Sequence, residues 1–397
     1  MLAKTLNRRA ALGLSGGALT LALAGGALWV VEAAGRSLAE GDAYAPWRLW
    51  DDPGARGTPL ALVAAGALAA NPHNTQPWLF RVGETQIDVL ADLSRRLGAV
   101  DAFVRELHLG LGCAIENMAL AAAPNGLDVA VEIVDGSLLA LAERARPVVA
   151  ARLHLTRRPL SAADALYRAI PVRHTNRYPY DRGRPVPADW LAFAHGAAED
   201  GARVVLFDDG AARRAFDAAV VEATEAIIAD AEMIGDSDRW FRNSPAAVEA
   251  HRDGPTLEAA GLSHLTLAYA RLFPVSPQAS RAAWLGQVRN SQLPSAPLTG
   301  LIAVSDRYDR RGAIAAGRLW QRLHLAATAA GAAMQPLNQP IEMIDRERST
   351  ARGDAWARRI AALAGADGQA TFAFRVGMPT SAAPPSPRRR LADVVAT

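Results

Sequence analysis

Apolar and polar positions alternate in two periods along this chain. An Ala- and Leu-rich run from Leu60 to Ala70 predicts a helix, and Leu79 to Val89 alternates as a pair of strands would. From Asp101 to Ala123 the apolar residues Phe103, Leu107, Leu111, Ile115 and Met118 fall at helical spacing, which predicts a long buried helix. Asn125-Gly126 stops it as a C-cap would. Strands are expected over Leu127 to Val134 and Pro147 to Leu155. After Ser161 a second cycle begins: a polar turn at Arg173–Arg177, a strand at Ala202–Phe207 and a helix at Gly210–Ala231. A strand at Leu298–Val304, a second Ala-rich helix at Gly312–Ala333, a turn at Met334–Pro340 and a strand at Ala370–Val376 complete it. Residues 232–297 are richer in Pro and Ser and read as a helical insertion lying over something. Each cycle runs long apolar helix, glycine stop, strand. That shared plan points to an internal duplication with α+β halves near 40–165 and 166–397.

One stretch breaks both periods. In Asn71-Pro72-His73-Asn74-Thr75-Gln76-Pro77-Trp78 the two prolines lack N–H groups and push the preceding residues out of the helical region, leaving a rigid corner. Its amides, hydroxyl, imidazole and indole can exchange hydrogen bonds and stack on a flat ring. The same residues would also serve an ordinary helix stop. Arg173, Thr175 and Arg177 alternate, so on an extended segment they face one way. Arg388 and Arg390 form a second alternating pair behind Pro387. Converging, these groups would make a phosphate pocket; scattered, they would be surface residues.

Composition narrows the classes. The chain has 397 residues, half of them hydrophobic, and a net charge of only +3. The pI near 9.3 reflects a mild Arg excess rather than a basic arm, so nucleic acid is not expected as a partner. A single cysteine, Cys113, rules out an internal disulfide, and its apolar neighbours predict a buried thiol. Histidine spacing suggests no metal site. No Gly-rich phosphate loop of either common type is present. Glu116 and Asn117, polar among apolar neighbours, are expected to cap or to bridge to the second half. No acid, base or nucleophile constellation is visible, so no catalytic residue is assigned; a bound cofactor would carry any redox chemistry. At the start, Asn7-Arg8-Arg9-Ala10-Ala11-Leu12 and the apolar run Ala10–Val31 look like a twin-arginine export signal within residues 1–35, handled by the twin-arginine machinery. A retained membrane anchor is the competing reading. Either places the protein in the periplasm or otherwise exported.

His73-Asn74-Thr75-Gln76-Pro77-Trp78 resembles the S-x-N-S-Q-P-W loop of the FMN-dependent nitroreductase family. Arg173-His174-Thr175-Asn176-Arg177 resembles that family's R-x-S-x-R phosphate motif, and Ser386-Pro387-Arg388-Arg389-Arg390-Leu391 its C-terminal K-x-R clamp. The Acg-like group, which fuses two nitroreductase halves, is the most similar. The resemblance implies an α+β nitroreductase-like fold whose two tandem halves form an intrachain pseudo-dimer. It implies FMN as cofactor, with Arg173, Thr175, Arg177, Arg388 and Arg390 on the phosphate and ribityl chain. Asn71, Pro72, His73, Asn74 and Gln76 would approach the flavin from the opposing half, and Pro336, Leu337, Asn338 and Gln339 would lie on the flavin N5 side. Thr175 replaces the usual Ser but keeps the hydroxyl. Pro179 stands where Phe is common, and His73 replaces a small residue. Since no R-x-S-x-R precedes residue 71, one intact site is expected. The implied activity is hydride transfer from a nicotinamide donor to a nitroaromatic or quinone-like acceptor; FMN sequestration without turnover is the alternative.

Overall fold

The computed structural model describes residues 39–141, 144–273, 275–365 and 368–396; the expected export segment lies outside them. The strands are β1 (Trp78–Val82), β2 (Gln86–Ala91), β3 (Leu127–Ile133), β4 (Val148–Arg157), β5 (Ala198–Glu199), β6 (Ala202–Phe207), β7 (Leu298–Val304), β8 (Ala333–Pro336), β9 (Gln369–Gly377) and β10 (Val395–Ala396). They form two five-stranded sheets, ordered β10-β1-β2-β4-β3 and β5-β6-β7-β9-β8. All pairings are antiparallel except β1 with β10, where Phe80 faces Val395. The C-terminal tail of the second half therefore completes the sheet of the first.

The helices that place the candidate site are α1 (Pro59–Ala67), α2 (Arg105–Ala122), α3 (Ala231–Asp238), α4 (His264–Leu272), α5 (Arg310–Ala329) and α6 (Gln339–Ser349). The long helices α2 and α5, one per half, cross at Gly112 and Gly317. A Cβ on Gly317 would lie 2.0 Å from the Leu109 carbonyl oxygen, and one on Gly112 would lie 2.2 Å from that of Ile314. Only glycine permits this approach. One apolar core runs through both halves and includes Leu62, Trp78, Leu111, Ile314, Trp320 and Phe374.

Several expected boundaries moved for identifiable reasons. The first long helix starts at Arg105 rather than Asp101, because the Asp101 carboxylate accepts the N–H groups of Glu106 and Leu107 at 3.0 and 2.9 Å. The second starts at Arg310, capped by Asp309 through the N–H of Gly312 at 2.9 Å. The turn expected at Met334–Pro340 is instead β8 followed by α6, since β9 pairs with this segment (Met334 with Val376). Residues 232–297 are mostly helical. Cys113 is buried, and burial pushes its thiol up to about 12.

Candidate functional site

The corner after α1 is held by a polar chain through the core. Asn117 on α2 donates to the Ala65 carbonyl at 2.8 Å, and Gln321 on α5 donates to Asn117 at 2.8 Å. Gln321 in turn accepts the N–H of Ala70 at 3.2 Å. Glu116 accepts from Arg318 and Arg322 at 3.0 and 2.8 Å. Glu116 and Asn117 thus bridge to the second half, as expected.

Within the corner, His73, Asn74 and Gln76 have φ of 45°, 50° and 49°. Non-glycine residues adopt this left-handed backbone at a cost of roughly 1–2 kcal/mol each. Hydrogen bonds hold it there. The Gln76 N–H donates to Asn71 Oδ1 at 2.7 Å, and the Asn74 amide donates to the Pro387 carbonyl at 2.9 Å. Gln76 Oε1 accepts the Arg389 N–H at 2.8 Å. Asn71 and Pro72 lie over Gly110 of α2, where a Cβ would meet Pro72 at 3.1 Å and Asn71 at 3.2 Å.

Against this corner stand two guanidiniums, Arg173 and Arg388, each 2% exposed. Both donate to the Leu68 carbonyl at 3.3 Å. Arg388 also donates to the carbonyls of Ala69 (3.2 Å) and Pro387 (3.0 Å) and to Asn74 Oδ1, and its guanidinium lies 4.6 Å from the Trp47 ring centroid. Neither forms an ion pair with a carboxylate among the described residues. Burial lowers Arg173 to about 10. It depresses Arg388 well below its ordinary value, and the charge of Arg173 adds to that effect. The Nε atoms of both, with Thr75 Oγ1, Trp78 Nε1 and His324 Nε2, are buried without a hydrogen-bond partner among the described residues. His324, on α5, places Nδ1 3.4 Å from Arg173.

Arg177 donates to the Ala259 carbonyl at 3.1 Å and has no carboxylate partner among the described residues. Thr175 between them is half-buried. Arg375 on β9 is fully buried, donates to the Tyr178 carbonyl at 2.7 Å and sits 3.9 Å from the Tyr180 ring centroid. His73 donates to or accepts from Ser237 Oγ on α3 at 2.9 Å, and burial beside Arg177 pushes its imidazole down to about 4.

Two expectations fail on geometry. Arg390 is not with the other arginines: it is exposed and paired with Asp393 at 2.9 Å, because the chain turns into a short helix at Leu391. Pro336–Gln339 are only partly available. Leu337 is in the core and the Asn338 amide is engaged on both sides, donating to Glu106 at 3.0 Å and accepting from the Ala373 N–H at 2.8 Å. Gln339 keeps a buried Oε1 with no partner among the described residues. Asn338 meets α2 at Glu106, one turn from Gly110 under Pro72. Trp47, His324 and Arg375 were missed by motif reading. A lone His or Arg in an apolar element, as in α5 and β9, is the signal that could have found two of them.

No protein-family model matches this chain. Two curated proteins, from two strains of Mycobacterium tuberculosis and each named "Putative NAD(P)H nitroreductase", are 29% identical to it over 339 residues. The match covers 82% of this chain and 88% of each relative. The likeness is to nitroreductases. A match of that length takes in both halves. Among solved structures, the FMN-dependent nitroreductase from Mycobacterium smegmatis in complex with NADPH is 17% identical at a TM-score of 0.38, covering 59% of this chain and 97% of that one. A nitroreductase with bound FMN from Desulfitobacterium hafniense is 13% identical at a TM-score of 0.35, covering 59% and 99%.

Proposed function

We propose that this chain is an FMN-binding oxidoreductase of nitroreductase type. The observation that carries the reading is the pair Arg173 and Arg388, two buried guanidiniums that share one carbonyl and have no carboxylate partner among the described residues. An uncompensated buried charge costs several kcal/mol, and a phosphate would supply the missing counter-charge. The unpartnered Nε atoms leave donors for it. The residues present therefore fit the group. Arg173 and Arg388 would hold the phosphate, with Thr175 and Arg177 beside them. The corner Asn71–Gln76 would face the ring from the first half. When bound, the flavin supplies reversible two-electron chemistry. The chain's own part is to anchor the phosphate, fix the ring against a strained corner and exclude water. A nicotinamide donor and a nitroaromatic or quinone-like acceptor are the proposed substrates, and the protein is proposed to be exported.

One observation favours the second reading, sequestration without turnover. The segment from α3 to Gly261 sits directly on the corner: His73 meets Ser237, the Gly254 N–H donates to the Asn74 carbonyl at 3.1 Å, and Gln76 donates to the Arg252 carbonyl at 2.8 Å. A cover so fastened would slow substrate entry. Purified protein incubated with FMN and desalted should keep a flavin absorption spectrum, and Arg173→Ala with Arg388→Ala should lose it. Colourless wild-type protein would end the proposal. NADPH with a nitroaromatic then separates the readings: bleaching and product formation mean turnover, and persistently yellow protein means sequestration.

A further inference from the structure

We propose that residues 382–396 form a strap that closes onto the first half when a phosphate bridges Arg173 and Arg388. The inference rests on the FMN reading above and adds that cofactor binding and strap docking are one equilibrium. The last tie before the strap lies within the second half, where the Asn176 amide donates to the Ser381 carbonyl at 2.8 Å. Residues 380–390 belong to no helix or strand, and Pro384-Pro385 carries no N–H to fasten it to either half. Beyond those prolines the ties reach the first half. The Trp47 indole donates to the Ser386 carbonyl at 2.7 Å, and the Arg388 N–H donates to the Ala43 carbonyl at 2.7 Å. Asn74 and Gln76 grip Pro387 and Arg389, and β10 lies on β1.

Three features work against this closed arrangement. First, the strap carries the Arg388 guanidinium into a site where it is 2% exposed and has no carboxylate partner among the described residues. Burial, and then the charge of Arg173, depress its pKa well below the ordinary value. An uncompensated buried charge is costly. Second, the residues that grip the strap are themselves strained: Asn74 and Gln76 have φ of 50° and 49°. Third, β10 is only two residues long and adds little ladder. Opening the strap takes Arg388 away from Arg173 and from the Leu68 carbonyl that both share. Only the closed form therefore presents two guanidiniums to one phosphate. A ligand shifts an equilibrium by its differential affinity for the two states, and here the difference is a whole charge-assisted contact. Release of the flavin then waits on opening of the strap.

Hydrogen–deuterium exchange on the full chain, with and without FMN, reads this equilibrium. The N–H groups of Arg388 and Arg389 are both bonded in the closed form, so FMN should slow exchange in peptides spanning 386–396 by about tenfold or more. Peptides from β9, which precedes the strap, should exchange equally in both states. A second measurement uses Val394, which is fully buried at the far end of the strap, beyond the arginines. Full-length Val394→Asp should speed FMN dissociation by about tenfold and leave the thermal midpoint of the flavin-free protein unchanged. A Val394 that served only the core would lower that midpoint. Wild-type protein that keeps no FMN overturns both the strap and the reading on which it rests. FMN retained with equal exchange over 386–396 overturns the strap alone, and so does a lowered flavin-free midpoint in Val394→Asp.

Discussion

Arg388 and Arg390 are two residues apart and chemically identical, yet the fold gives them opposite surroundings. The first is buried over Trp47 among backbone carbonyls; the second is exposed against Asp393. Charge-assisted hydrogen bonds contribute about 1.5–3 kcal/mol, so Arg388→Ala should weaken FMN binding roughly 10- to 100-fold. Arg390→Ala should change it by no more than about twofold. Quenching of flavin fluorescence during titration reads both. His108 carries a second prediction at this scale. It is fully buried on α2, its Nδ1 is 2.7 Å from the Val104 carbonyl, and burial pushes it down to about 4. Between pH 6.5 and 4 the unfolded chain binds a proton that the folded chain refuses. Its contribution is therefore intact above pH 6.5 and is lost as pH falls towards 4, by up to about 3 kcal/mol. Asp101 and Glu106, raised by burial to about 6 and 7, act with the opposite sign over an overlapping window. The test must therefore compare variant with wild type. The urea midpoint at pH 4.5, taken relative to that at pH 7, should be higher in His108→Leu than in the parent.

Among elements, the crossing of α2 and α5 is the most constrained. A methyl on Gly317 would overlap the Leu109 carbonyl, and backbone cannot yield as a flexible side chain would. Gly317→Ala should cost about 3 kcal/mol or more by overpacking. It should lower the thermal midpoint and loosen the corner, which hangs from Gln321 one turn away. Gly286→Ala, with open space around its Cβ position, should be nearly silent. The long helices and most strands were legible because each turns a regular apolar face to the core, and period alone identifies such faces. β6 and β7 fell on the expected residues. β8 was not legible, since four residues carry too little pattern and only pairing with β9 makes them a strand. β10, two residues long and paired across halves, left no local signal at all. Helix starts were misjudged where a cap such as Asp101, rather than the apolar period, sets the first turn.

At the scale of the molecule, the candidate site is assembled from both halves. The corner comes from the first, and Arg173, Arg177 and the tail bearing Arg388 come from the second; β10 ties that tail to β1. The motifs were legible singly. Their convergence was not, because nothing local to residue 173 or 388 specifies the Leu68 carbonyl on which both close. Trp47 belongs to none of the motifs, although its indole donates to the Ser386 carbonyl at 2.7 Å and fixes the tail. The same assembly predicts stoichiometry. A twin site would need an alternating arginine motif in the first half and an amide-rich corner in the second. No R-x-S-x-R or R-x-T-x-R precedes residue 71. In the second half, the link from the helix Ala188–Gly196 to β6 is Ala197-Ala198-Glu199-Asp200-Gly201, without a side-chain amide or an indole. Glu199 there is spent on Arg322 at 3.1 Å. Reconstitution should therefore saturate at one FMN per chain, measured as flavin absorbance after denaturation against protein by amino-acid analysis. A ratio of two would mean that the halves are functionally equivalent and that the arginine pair is not what selects the site.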